Sequence, residues 1–272
     1  MPIQALEHLC PLPNGGILGS VFHRLEVNVA IYLDSAIPDE ARRAMGRGFV
    51  RGITTNPKLL ALARRPPDEL LRELCHICPG NVFYQLTAAT VSERRAEARR
   101  FLLLNEELEQ EDAQALNAWQ QDLVQGKDSP YSSLGRVGLK IPASTENMSL
   151  VAEFTDQEVK VAVTAMFSLA QAYVACEAGA TYLLPYVNRT TRLRGDGIAF
   201  VRELAQVCKA TGSGTEVLAA SVKSPQEAVQ TLLAGAHHVS MPLSVLLDMG
   251  HDPLSEQAVA EFARASSQPR PQ

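Results

Sequence analysis

The sequence predicts an α/β protein folded as a single (β/α)8 barrel. Eight short strand-like runs fall at residues 27–34, 48–54, 82–87, 137–142, 159–164, 181–187, 217–221 and 238–241, and helix-like patterns separate most of them. The length of 272 residues and the 46% hydrophobic content suit one large core. Gly46-x-Gly48 and Gly212-x-Gly214 are isolated, and neither leads a strand into a helix as a dinucleotide-binding turn would. An open doubly wound sheet stays as the alternative topology.

Residues 1–26, with Pro11, Pro13, Gly15, Gly16 and Gly19, read as an irregular N-terminal extension covering one end of the barrel domain, which spans 27–265. Helical patterns follow the first two strands at 38–46 and 68–77, the second running into the stop signal Cys78-Pro79-Gly80-Asn81. After the third strand a helix at 92–104 meets a departure from the rhythm, a helical insert over about 105–131. Leu104, Leu108, Ala115, Trp119 and Leu123 recur there at helical spacing, amid Glu106, Glu107, Glu109, Glu111 and Asp112. One continuous helix would place Arg94, Arg95, Arg99 and Arg100 before those acids, against its macrodipole, so a break is expected near Asn105. The insert reads as a solvated helix on the barrel's flank in preference to a lid. Further helices are expected at 167–178, 196–210, 225–234 and 255–265, and a disordered tail at 266–272.

A net charge of -5 and a pI near 5.7 argue against nucleic acid as a partner. No stretch reaches the length of a membrane-spanning helix and the start lacks a signal-peptide pattern, so a cytoplasmic protein is expected. The five cysteines, Cys10, Cys75, Cys78, Cys176 and Cys208, are too sparse for a disulfide framework. Cys75-His76-Ile77-Cys78 has metal-site spacing without two further ligands to match, so its expected role is structural and no metal is called for.

Chemistry in a (β/α)8 barrel belongs at the carboxyl ends of the strands. In Val137-Gly138-Leu139-Lys140-Ile141-Pro142, alternation sends Val137, Leu139 and Ile141 one way and Gly138, Lys140 and Pro142 the other. Lys140 therefore points at an interior of small groups, where loss of hydration lowers an ammonium pKa and frees an amine to attack a carbonyl. A lysine snorkelling from an edge strand or gripping a phosphate is the competing reading of this hexapeptide. The same alternation brings Asp34, Thr54, Asn56, Gln85, Thr164, Tyr186 and Ser221 toward the mouth. Singly each is unremarkable, and Asp34 could cap the next helix. Together with a buried lysine they form a candidate acid-base site. Lys58, at a helix start after Asn56-Pro57, reads as solvated.

Leu33-Asp34-Ser35, ITTNPKLL (53–60), LKIPAS (139–144), TAMFSLAQA (164–172), PYVNR (185–189) and LAASVKSP (218–225) resemble the transaldolase and fructose-6-phosphate aldolase family. The resemblance runs from about residue 27 to 262. It implies a barrel with a Schiff-base lysine on strand four, where Lys140 falls, and an aspartate such as Asp34 on strand one. It also implies Thr54 and Asn56 near substrate hydroxyls, Thr164 holding a catalytic water, and Arg189 and Ser221 on a phosphate, helped by Lys223. Gln85 and Tyr186 stand where transaldolases usually carry glutamate and phenylalanine, which resembles the fructose-6-phosphate aldolase branch. A tyrosine hydroxyl there would hand a proton to the enamine and release a three-carbon ketone. Asn147 and Thr191 depart from the family pattern, replacing a glycine and an aspartate.

The expected activity is Schiff-base aldol cleavage and formation on a ketose phosphate, without metal or organic cofactor, in a homo-oligomer. Transfer of a dihydroxyacetone unit to an aldose phosphate is the alternative, and a non-catalytic sugar-phosphate-binding barrel is a third reading.

Overall fold

The structure is a computed structural model and describes residues 29–125, 127 and 131–266. Eight parallel strands close in sequence order, each paired with the next and β8 with β1. They are β1 (Ala30–Asp34), β2 (Val50–Thr54), β3 (Asn81–Gln85), β4 (Arg136–Pro142), β5 (Val161–Met166), β6 (Tyr182–Pro185), β7 (Glu216–Ala219) and β8 (His238–Met241). The expected barrel is what the chain forms. The extension 1–26, the first two residues of the first expected strand and the tail beyond Ser266 lie outside the described residues.

The helices are α1 (Pro38–Met45), α2 (Pro57–Ala63), α3 (Pro67–Ile77), α4 (Val91–Val124), α5 (Met148–Thr155), α6 (Leu169–Glu177), α7 (Val187–Arg194), α8 (Gly197–Thr211), α9 (Pro225–Leu233), α10 (Leu243–Asp248) and α11 (Pro253–Ser266). Four short ones, α2, α5, α7 and α10, were not expected from the sequence. Each has nine or fewer residues, too few for a helical period to stand out. The sixth strand is shorter than expected, since Val187 already belongs to α7. No side chain of α11 is buried against the chain, and Leu254, Val259 and Phe262 are exposed.

The expected break near Asn105 does not occur: α4 runs unbroken through it, so residues 105–124 of the insert are the outer part of one long helix, while 126 and 128–130 lie outside the described residues. Asn105 fastens that helix to β4, accepting from Val137 N at 2.7 Å and donating to Val137 O at 3.0 Å. The helix dipole acts mainly within the terminal turns. There Thr90 and Glu93 form a capping box, with Glu93 N donating to Thr90 Oγ1 at 3.2 Å and Thr90 N to Glu93 Oε2 at 2.9 Å. The arginines that argued for a break have other partners. Arg95 and Arg99 reach Glu153 at 2.7 and 3.0 Å, Arg100 pairs with Asp68, and Arg94 donates to Asn147 at 3.0 Å.

The lower barrel is filled by Tyr32, Phe83, Tyr182, Leu184 and Leu218, with Tyr32–Phe83 and Phe83–Tyr182 ring centroids 6.2 and 5.7 Å apart. These rings fit because β4 presents no side chain at Gly138, where a Cβ would lie 2.6 Å from the Phe83 ring. The aromatic plug forms the floor, and Lys140 stands on the same face one inward position closer to the carboxyl end.

Candidate active site

Strand register puts the candidate residues side by side. Asp34 pairs with Thr54, Gln85 with Lys140, and Pro142 with Thr164, at or near the carboxyl ends of β1 to β5. The mouth above them opens into a cavity of about 350 Å3. Asp34, Asn56, Gln85, Lys140, Tyr186, Arg189, Ser221 and Lys223 all line it. Thr54 and Thr164 stand behind the wall, each fully buried, and hydrogen-bond to Asp34 and Tyr186 in front of them.

Lys140 is 2% exposed. Its Nζ donates to the carbonyl oxygen of Thr55 at 2.7 Å. Desolvation lowers its pKa from 10.5 to about 8, against the opposing pull of the Asp34 carboxylate. A closed barrel has no edge strand and the side chain is enclosed, so Lys140 does not snorkel to solvent. Asp34 accepts from Thr54 Oγ1 at 2.9 Å, and Thr54 contacts Ser240 Oγ at 2.6 Å, so hydroxyls of β2 and β8 orient the carboxylate. The helix-cap reading of Asp34 fails, because the chain before α1 is turned by Ser35, whose Oγ accepts from Ile37 N at 3.1 Å.

Gln85 Oε1 is buried and accepts no hydrogen bond among the described residues. A buried acceptor left in that condition costs about 1–3 kcal/mol, which a hydroxyl placed in the cavity would relieve. Asn56 is held in place as the cap of α2, its Oδ1 accepting from Lys58 N and Leu59 N at 3.1 Å each. Thr164 precedes a bulge in β5, where Ala165 takes a left-handed φ of 56°. Tyr186 lies between β6 and α7, bridged to Ala220, with the Arg189 guanidinium 4.6 Å above its ring. Ser221 also has a left-handed backbone, φ 62°, at the point where the chain leaves β7 for the loop carrying Lys223. Such conformations in residues other than glycine concentrate at functional sites.

Sequence reasoning missed Pro57, Lys58 and Ala220 on the wall, and Thr55 and Ser240 behind it. Only Lys58 carried a signal, a cation two residues after Asn56, and its exposure agreed with a solvated lysine. A larger groove of about 650 Å3 runs between α3 and α4. Ion pairs such as Arg65–Glu73, Arg72–Glu107 and Arg100–Asp68 consume its charges, and it holds no buried nucleophile. Cys75 and Cys78 are buried with thiols pushed up to about 12 and about 11, the behaviour of packing residues.

A barrel with a buried lysine and a carboxylate at the carboxyl ends of its strands, under a cation-rich rim, has the make-up of an enzyme active site. Comparison with known proteins is specific. The transaldolase/fructose-6-phosphate aldolase family matches residues 31–270, and the chain belongs to it. A "Probable transaldolase" of Herpetosiphon aurantiacus is 32% identical over 232 residues, covering 85% of this chain and 92% of that one. Proteins of the same description from Lactiplantibacillus plantarum and Caulobacter vibrioides are each 30% identical, over 85% and 86% of this chain and 94% of their own lengths.

Proposed function

We propose that the chain is a class I aldolase that cleaves and forms a carbon–carbon bond in a ketose phosphate of the fructose 6-phosphate kind, releasing a three-carbon ketone. The observation that carries this reading is the buried Lys140 with its pKa lowered to about 8. The neutral amine adds to the substrate ketone and loses water to give an iminium, an electron sink for cleavage of the bond two carbons away. Asp34, held by Thr54, moves protons during addition and cleavage. Gln85 accepts a substrate hydroxyl and Asn56 offers its amide nitrogen, its oxygen being engaged in the α2 cap. Arg189, Ser221 and Lys223 take the phosphate.

Tyr186 supports release over transfer, because its hydroxyl is positioned by Thr164 at the cavity wall and can protonate the enamine. The second reading, transfer of the three-carbon unit to an aldose phosphate, is favoured by the description of the relatives as transaldolases. A homo-oligomer fits the apolar side chains that α11 leaves exposed, and a reducing cytoplasm fits the four buried cysteines without disulfides. Among the described residues no helix is long and apolar enough to cross a membrane.

The test is borohydride reduction of the protein incubated with fructose 6-phosphate, followed by digestion and mass spectrometry. A ketose-derived adduct on Lys140 is expected. An adduct elsewhere, or none from folded protein, would remove the Schiff-base reading.

A further inference from the structure

Four cysteines among the described residues are buried and free, and the chemistry at the mouth uses none of them. The fold brings two of them together. Cys176 lies in the last turn of α6 and Cys208 in the last turn of α8. These helices pack side by side and lead into β6 and β7, which are neighbours in the barrel with Tyr182 paired to Glu216. Hydroxyls tie the two exits. Thr211 Oγ1 donates to the Cys208 carbonyl at 3.0 Å and lies 3.1 Å from Ser213 Oγ. Ser213 Oγ donates to Thr215 Oγ1 at 2.9 Å, and Thr215 Oγ1 donates to the Ala180 carbonyl, just beyond α6, at 2.8 Å.

Both thiols face this junction. The Cys208 thiol donates to Cys176 Sγ, and that bond, with the hydroxyls of Ser213, Thr215 and Thr211 beside it, holds Cys176 below the ordinary thiol range despite its burial. The same contact and burial raise Cys208. One sulfur of the pair thus has thiolate character while its neighbour keeps the proton. Cys75 and Cys78, at the end of α3, lack this arrangement, and burial pushes both thiols up. Small molecules can also approach the pair, because Cys208 lines a surface cavity of about 470 Å3 with Gly214, Thr215 and His237.

We propose that Cys176 and Cys208 are a peroxide-sensitive modification site, where hydrogen peroxide converts two free thiols into a disulfide that staples α6 to α8. The Cys176 thiolate attacks one peroxide oxygen, the O–O bond breaks and hydroxide leaves, giving a sulfenic acid. The Cys208 sulfur then attacks the Cys176 sulfur. An S–S bond forms, the S–O bond breaks, and the departing hydroxide takes the Cys208 proton as water. In total two thiols lose two electrons and one peroxide becomes two waters. Sulfurs already within hydrogen-bond reach need little backbone movement to bond. The link closes the chain over residues 176–208, the segment that carries Tyr186 and Arg189.

The experiment treats full-length reduced protein with hydrogen peroxide, alkylates the remaining thiols, and maps the unreduced digest by mass spectrometry. A linked peptide pair containing Cys176 and Cys208 is expected. Those two cysteines should lose alkylation together, at least about tenfold faster than Cys75 and Cys78. The linked protein should melt several degrees higher, and dithiothreitol should reverse the change. Cys208→Ser, which removes the second sulfur, should instead accumulate a sulfenic acid on Cys176 that dimedone labels. If that variant does not fold, the map of the unaltered protein still decides. Cys176 and Cys208 that stay alkylatable, a link from either to another cysteine, oxidation of Cys75 and Cys78 at the same rate, or a linked form that melts no higher would overturn the proposal.

Discussion

Thr164 Oγ1 donates a 2.8 Å hydrogen bond to the phenolic oxygen of Tyr186. The donor comes from β5 and the acceptor from the end of β6, so two neighbouring strands hold one hydroxyl at the cavity wall. With its oxygen accepting from Thr164, the tyrosine keeps its own proton for a group inside the cavity. Arg189 over the ring face and Phe167 at 6.4 Å in an edge-on arrangement restrict the ring further.

Tyr186→Phe removes that proton and leaves the ring packing in place. Release of free ketone should fall about a hundredfold, the lower end of general acid catalysis. Trapping of substrate on Lys140 should persist, and transfer to an added aldose phosphate should account for a larger share of product. The ratio of free ketone to transfer product, measured with and without acceptor, checks this. A ratio identical to that of the unaltered enzyme would remove Tyr186 from the proposed role.

The pH dependence of kcat/KM follows from Lys140. At pH 7 a lysine with a pKa of about 8 is neutral in about one molecule in ten, roughly three hundred times the fraction for a lysine at 10.5. The rate should rise as pH approaches 8 and level off above it, because the neutral amine is the nucleophile. Asp34 raises the Lys140 pKa, so Asp34→Asn should move the rising limb to lower pH while reducing the plateau. A limb that stays in place would mean that the carboxylate does not act on the lysine.

Lys140 should also weaken the fold that carries it. Its folded pKa lies below its unfolded one, so the unfolded chain binds more protons between pH 8 and 10.5 and stability rises with pH across that window. Below pH 8 the penalty is constant, about 3 kcal/mol from the size of the shift. Lys140→Met removes it and leaves the Thr55 carbonyl without its donor, a loss of about 1–3 kcal/mol. The variant should be inactive and at least as stable at pH 7, by up to about 2 kcal/mol, and any advantage should shrink as pH approaches 10.5. Urea unfolding at pH 7 and pH 10 measures both effects.

The barrel and most of its mouth are legible in the sequence because strands alternate with a period of two. That period alone sends Asp34, Gln85 and Lys140 inward once their strands are recognised. The course of α4 is not legible. A local dipole argument cannot see that Glu153, from α5, and Asp68, from α3, supply carboxylates to its arginines, or that Asn105 meets the backbone of Val137.

Gly138 gives the most direct test of how the floor sets the position of the lysine. A Cβ there would lie 2.6 Å from Phe83 Cε1, 2.9 Å from Cδ1 and 3.1 Å from the Lys160 carbonyl oxygen. Phe83 is fully buried, and its neighbours Tyr32 and Tyr182 in the barrel interior limit how far it can yield. Gly138→Ala should therefore destabilise the protein by about 1–3 kcal/mol, lowering Tm by several degrees. Because Lys140 is two residues further on the same face of β4, kcat/KM should fall in parallel at temperatures where the variant is still folded. Gly250→Ala is the control, since a Cβ at that position meets nothing within 4 Å. If the two variants melt together, the aromatic floor does not fix β4, and the placement of Lys140 must depend on its hydrogen bond to Thr55 instead.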